Sequence, residues 1–110
     1  MGAPVKFTQT AVISSGGAQT ISYVQDPHGK ASRIGVIAAQ LASGTQTGMV
    51  AFYYGNDLTN AVMIHRQALT ATTPYAAMNP NFVIHPGQTI AISFSGVTAG
   101  DVARVHIGGH

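Results

Sequence analysis

Apolar and polar positions alternate with a period of two along much of the chain, the spacing that turns successive side chains to opposite faces of a strand. Ile90, Ile92 and Phe94 alternate with Ala91, Ser93 and Ser95; Val50, Phe52 and Tyr54 alternate with Met49, Ala51 and Tyr53; Ala103, Val105 and Ile107 alternate with Val102, Arg104 and His106. One set of each pair is expected on a core. The other set is unusually apolar for a face left to water. Segments rich in β-branched and aromatic residues run from Val5 to Ile13, Gln19 to Val24, Arg33 to Ala42, Met49 to Tyr54, Ala61 to Leu69, Asn81 to His85, Thr89 to Ser95 and Val102 to Ile107. Turn signals separate them: Ser14-Ser15-Gly16-Gly17, Asp26-Pro27-His28-Gly29, Ser43-Gly44, Gly55-Asn56-Asp57, Thr72-Thr73-Pro74, His85-Pro86-Gly87 and Ala99-Gly100-Asp101. Short strands with turns spaced this closely predict an all-β fold.

The architecture expected is a two-sheet antiparallel β-sandwich or jelly roll of six to eight strands, because two sheets can cover each other's apolar faces. One stretch is ambiguous. Ile34, Ile37, Ala38 and Leu41 fall at helical spacing, while Gly35 and the β-branched neighbours favour a strand over 33–42, the reading we adopt. A length of 110 residues fits a single domain over 1–110, with 1–9 forming either an N-terminal arm that orders on a neighbour or an edge strand of the domain itself.

Composition narrows the partners. Charged residues make up only 7% of the chain, against roughly a quarter in ordinary soluble domains, and the acids are Asp26, Asp57 and Asp101 with no Glu. The formal net charge is +2, and Lys6, Lys30, Arg33, Arg66 and Arg104 are scattered, so nothing tracks a phosphate backbone and nucleic acid is not expected as a partner. There is no cysteine, hence neither disulfide nor thiolate chemistry. No apolar run approaches a membrane span, and Met1 to Thr10 lacks the pattern of an export signal.

Catalytic chemistry finds little footing, and no enzyme activity or cofactor is expected. His65, His85 and His106 could meet from neighbouring strands, but no carboxylate lies near enough in sequence to orient them as ligands, so no metal site is expected. His106 and His110 share a strand face yet sit roughly 13 Å apart along it. The three aspartates each follow or precede a turn residue and are expected to cap turn backbone. Gly16-Gly17 and Gly108-Gly109 lack the Lys-Ser/Thr and helix of a phosphate cradle. Tyr53 and Tyr54 beside Gly55-Asn56-Asp57 form the best saccharide platform, a ring to stack on a sugar with amide and carboxylate for its hydroxyls, although alternation must send one tyrosine into the core.

From Gly48 to Gly109 the chain runs through Tyr-Tyr-Gly-Asn-Asp, a Thr-Thr-Pro turn, Asn-Phe-Val-Ile-His-Pro-Gly-Gln-Thr and a closing Ala-Gly-Asp-Val-Ala-Arg-Val into the last strand. In style this resembles small β-sandwich virion proteins of tailed bacteriophages, the capsid decoration or cement type. The resemblance implies a structural protein of the virion, made in the host cytoplasm, that binds the major capsid or another virion protein and stabilises the shell. It also implies a homo-oligomer, with a trimer favoured by the threefold axes of shells. Independently, the neutral surface suits burial against other protein, and Val102, Met49, Ala51, Val83, Met63 and one of the tyrosine pair are expected to be exposed. The interaction surface expected comprises Tyr53, Tyr54, Asn56, Val102, Arg104 and His106. The alternative function is a carbohydrate-binding β-sandwich module.

Overall fold

A computed structural model of the chain describes residues 4–14, 16–42 and 47–110. Those residues form nine strands and no helix: β1 (Val5–Val12), β2 (Gln19–Val24), β3 (Ser32–Leu41), β4 (Gly48–Gly55), β5 (Val62–Leu69), β6 (Tyr75–Met78), β7 (Phe82–Ile84), β8 (Thr89–Ser95) and β9 (Val102–Gly109). The expected Ser43-Gly44 turn lies outside the described residues.

Two antiparallel sheets face each other. Sheet A has the order β1-β9-β3-β6, with β7 also paired to β3, and sheet B has the order β2-β8-β4-β5. The chain crosses between sheets at most connections, and only β4 and β5 are both consecutive and paired. Two sheets with four strand positions each, wound in this crossed order, make a jelly roll. The sandwich follows from the alternation already described: Val50, Phe52, Ile90, Ile92 and Phe94 of sheet B meet Ile34, Ile37, Leu41, Val105 and Ile107 of sheet A in one buried core.

The strand count exceeds the six to eight expected because the partner of β3 is broken into two. Tyr75–Met78 pairs with the second half of β3, and Phe82–Ile84 with its beginning. Between them Pro80 cannot donate to a ladder and Asn81 takes a left-handed backbone with φ 52°, so pairing stops and restarts. β6 carries no strand signal in the sequence, because Tyr-Ala-Ala-Met has no β-branched residue.

The ambiguous 33–42 stretch is strand, and its helical spacing has a structural cause. The pairing of β3 with β9 slips at Ile34–Val36, a bulge centred on Gly35. An extra residue there places Ile34 and Ile37 three apart on the same inner face, after which Ala39 and Leu41 resume the period of two. Of the two readings for 1–9, the described part is an edge strand: β1 pairs with β9 from Val5↔Gly109 to Val12↔Val102, and Met1 to Ala3 lie outside the described residues.

One end of the sandwich carries buried polar networks in place of hydrocarbon. Gln25 is buried, accepts from the Tyr23 hydroxyl at 2.5 Å, and donates to the Lys30 carbonyl at 2.6 Å and the Ser32 hydroxyl at 2.9 Å. The amide oxygen and both amide protons that left water thus each have a partner, which is the condition for a polar side chain in such a place. Burial pushes the Tyr23 hydroxyl above its ordinary pKa, and nearby Asp26 adds to the effect.

Candidate functional site

The six residues of the expected interaction surface do not form one surface. Val102, Arg104 and His106 project from β9 on the outer face of sheet A, alternating with buried Ala103, Val105 and Ile107. Tyr53 stands on the outer face of sheet B, on the opposite side of the molecule. Tyr54 turns inward, as alternation required of one tyrosine: its ring packs on Phe82 at 4.3 Å, and its single hydroxyl proton is shared between Gln88 Oε1 at 2.7 Å and the Val83 carbonyl at 3.1 Å. Asn56 accepts from Gln88 Nε2 at 3.1 Å, and Gln88 Oε1 also takes the His85 N–H at 2.8 Å. Tyr54 and Asn56 therefore tie loops together and do not present a platform. Of the side chains expected to be exposed, Met63 is, Val102, Met49, Val83 and Tyr53 are half-buried, and Ala51 is buried because a methyl between larger neighbours is easily covered.

The side chains with candidate chemistry in the turns do what short carboxylates do there. Asp26 Oδ1 accepts the His28 N–H at 2.9 Å, Asp101 Oδ1 accepts the Val102 N–H at 2.8 Å, and Asp57 Oδ1 accepts the Asn60 N–H at 2.8 Å. Donation from the Asn60 backbone, then from its side-chain amide, holds the Asp57 carboxyl below the ordinary carboxylate range. Among the described residues no three histidine, cysteine or acidic side chains gather where a metal could sit. His65 leans on Phe52 with ring centres 5.5 Å apart, His85 lies exposed at a turn, and His106 shares a 2.9 Å hydrogen bond with Thr8.

What the fold does assemble is a shallow depression of about 320 Å³ on the outer face of sheet A. Register builds it in two rows. Thr8, His106, Ala38 and Ala77 are partners across β1, β9, β3 and β6; one step along the strands, Thr10, Arg104, Gln40 and Tyr75 are partners across the same four. Neighbouring strands lie about 4.8 Å apart, and successive outward residues on one strand about 6.8 Å apart. The two alanines leave a floor, and Tyr75, Gln40, Arg104 and His106 rise around it. Tyr75 is 56% exposed, so its ring offers a face to solvent. Gly108 makes room for His106, because a Cβ there would lie 3.1 Å from its Nε2.

Tyr75, Gln40 and Ala77 carry no motif, and the Thr-Pro-Tyr-Ala-Ala-Met stretch gave no strand signal; only the pairing of β6 with β3 brings them to Arg104 and His106. A second depression, about 380 Å³, lies on sheet B among Tyr53, Leu58, Thr20, Ala91 and Ser93. Its polar groups are partly engaged with each other, since the Thr20 hydroxyl donates to Ser93 at 3.2 Å.

No family model and no curated protein matches the chain. Among solved structures it is similar to the CBM32 carbohydrate-binding module of AlyQ in complex with 4,5-unsaturated mannuronic acid, at 14% identity over 94% of this chain and 76% of that one, with a TM-score of 0.56. It is similar as well to the Yersinia pseudotuberculosis-derived mitogen, at 12% identity over 100% and 88% with a TM-score of 0.55, and to PirA, at 10% identity over 96% and 93% with a TM-score of 0.54. At such identities the likeness is one of fold: all three share the β-sandwich found here.

Proposed function

We propose that the chain is a non-catalytic binding module that holds a saccharide on the outer face of sheet A. The observation that carries this is the placement of a solvent-facing aromatic ring, Tyr75, in register with Gln40 and Arg104 at the rim of an alanine-floored depression. A sugar ring has apolar C–H faces and hydroxyl edges, so a site for it combines one aromatic face with a few planar donors and acceptors. Arg104, beside His106 on a chain of net charge +2, favours saccharides bearing a carboxylate over neutral ones, because a guanidinium can donate two parallel hydrogen bonds to that group. The AlyQ module shows that this fold can carry a saccharide; the mitogen and PirA share the fold under other names, so the support lies in the site and not in the likeness. A glycan array followed by titration calorimetry tests it. Binding that is lost in Tyr75→Ala and weakened in Arg104→Ala supports the proposal, and an array silent for both neutral and acidic glycans rejects it.

A second reading, a capsid decoration or cement protein of a virion, is favoured by a different observation. Leu58 (56% exposed), Val62 (66%) and Met63 (46%) are large apolar side chains left exposed about the β4–β5 hairpin of a chain whose charged fraction is 7%. Apolar side chains exposed at a hairpin suit burial against a coat subunit. Co-sedimentation with purified capsids that Val62→Lys abolishes, with no glycan signal, would favour this reading over the first.

A further inference from the structure

The sandwich has four sheet edges, and three carry devices that discourage pairing with another chain. At one edge of sheet A, β1 presents Lys6. At the other, β6 and β7 are four and three residues long and interrupted at Pro80 and Asn81. On sheet B, β5 carries Arg66 and a register slip opposite Phe52 and Tyr53. Charge, brevity, proline and bulges are the usual means by which an edge is blunted. The fourth edge, β2, has none of them. Its six residues Gln-Thr-Ile-Ser-Tyr-Val are uncharged and regular, and pair with β8 without a slip from Gln19↔Phe94 to Val24↔Thr89.

We infer that β2 is a self-association edge, pairing antiparallel with β2 of a second copy to make a continuous eight-stranded sheet from two copies of sheet B. A second copy of this uncharged strand meets no charge conflict at the edge. A twofold pairing centred on Ser22 sets Thr20 opposite Val24 and Ile21 opposite Tyr23, so outward residues meet outward ones and inward residues meet inward ones. Register parity of that kind is required for two sheets to join, since a slip of one residue exposes the buried face. Val24, 53% exposed in the single chain, gains a threonine neighbour, and no like charges confront each other across the junction. Beneath β2 lies β1, where Phe7 meets Tyr23 at 5.2 Å, so the sheet A layer reaches the same side.

An antiparallel edge pair closes at two copies, unlike the trimer that the virion resemblance favours. Its twofold axis stands perpendicular to the sheets, so both sheet A faces look the same way. Where the saccharide reading holds, the two sites would engage one polymer or surface together; the association itself does not depend on that reading.

Sedimentation equilibrium and light scattering of the purified chain at tens of micromolar test the inference. The wild-type protein is expected at twice 11.3 kDa. Ser22→Lys, which sets two ammonium groups against each other at the axis, is expected at 11.3 kDa with an unchanged circular dichroism spectrum. Val62→Lys on the opposite edge is expected to remain dimeric. A monomeric wild type, a trimer, a Ser22→Lys variant that keeps the wild-type mass, or dissociation by Val62→Lys in its place would each overturn the inference. If Ser22→Lys lost the β spectrum, Val24→Lys at the strand end would replace it, with the same masses deciding.

Discussion

The outer faces of the two sheets are made from nearly the same residue types, yet they differ in what their polar groups are free to do. On sheet A the depression is floored by Ala38 and Ala77 and rimmed by side chains with long reach, Tyr75, Gln40 and Arg104, with His106 steadied by Thr8. On sheet B the floor is Ala91 and Ser93, the wall is Tyr53 with Leu58, and the hydroxyls of Thr20 and Ser93 partner each other. A concave patch alone does not make a polar recognition site; planar donors held beside an aromatic face do. Sheet A has both in one depression, whereas the sheet B depression has one half-buried ring among short hydroxyls and aliphatic groups, and Arg66 on that face stands two strands away from Ser93.

The comparison can be broken most severely from below. Phe94 is fully buried on the inner side of sheet B, and Phe94→Ala is expected to cost about 3–5 kcal/mol, lowering the melting temperature and dissolving both outer faces together. A smaller loss, about 1–3 kcal/mol, is expected for Gln25→Ala, because Ser32, the Lys30 carbonyl and Tyr23 would each lose a buried partner; urea unfolding measures it, and a change under a few tenths would show that water replaces the amide.

The faces themselves are separated by a pair of tyrosine variants. Tyr75→Ala is expected to weaken saccharide binding by about tenfold or more, some 1.4 kcal/mol, while Tyr53→Ala leaves the affinity unchanged; the opposite pattern in calorimetry would move the site to sheet B. Sharper still is a comparison of one acidic glycan with its neutral counterpart. The acidic form is expected to bind several-fold tighter, the difference shrinking as salt rises and vanishing in Arg104→Ala, because the attraction of an exposed guanidinium is screened.

The smallest effect belongs to a turn carboxylate that lines neither depression. Asp57 has its carboxyl pKa lowered by the Asn60 donors, so the folded state prefers the ionised form. A lowered folded pKa means stability present above the unfolded value, near 4, and lost as pH falls through the folded one. Asp57→Asn is therefore expected to flatten slightly the fall in melting temperature below about pH 4 and to leave neutral-pH saccharide binding untouched. An identical acid profile for both proteins would show that this capping contact is too exposed to matter.

Much of the fold was legible because strand periodicity is local. The inner residues of β4, β8 and β9 could be named from alternation, since a side chain two positions away points the same way whatever the rest of the chain does. β3 was harder: a bulge at Gly35 converts a period of two into a spacing of three that looks helical, and only its slip against β9 reveals this. The candidate site was legible in half. Arg104 and His106 could be assigned outward from β9 alone, and alternation required one of Tyr53 and Tyr54 to turn inward, but sequence adjacency cannot show that Gln88, 34 positions from Tyr54, draws Tyr54 and Asn56 into a loop-tying network.

By itself, then, the sequence determined the class of the protein: all-β, weakly charged, without cysteine, with turns where glycine, proline and aspartate permit them. Those properties depend on individual residues and their near neighbours. Tertiary structure alone decided which strands share a sheet, that β6 and β7 divide one edge of β3, and that Tyr75 stands beside Gln40 and Arg104. Pairing partners and register are set by how two apolar faces cover each other across the whole sandwich, and residues far apart in the chain become neighbours only through that packing.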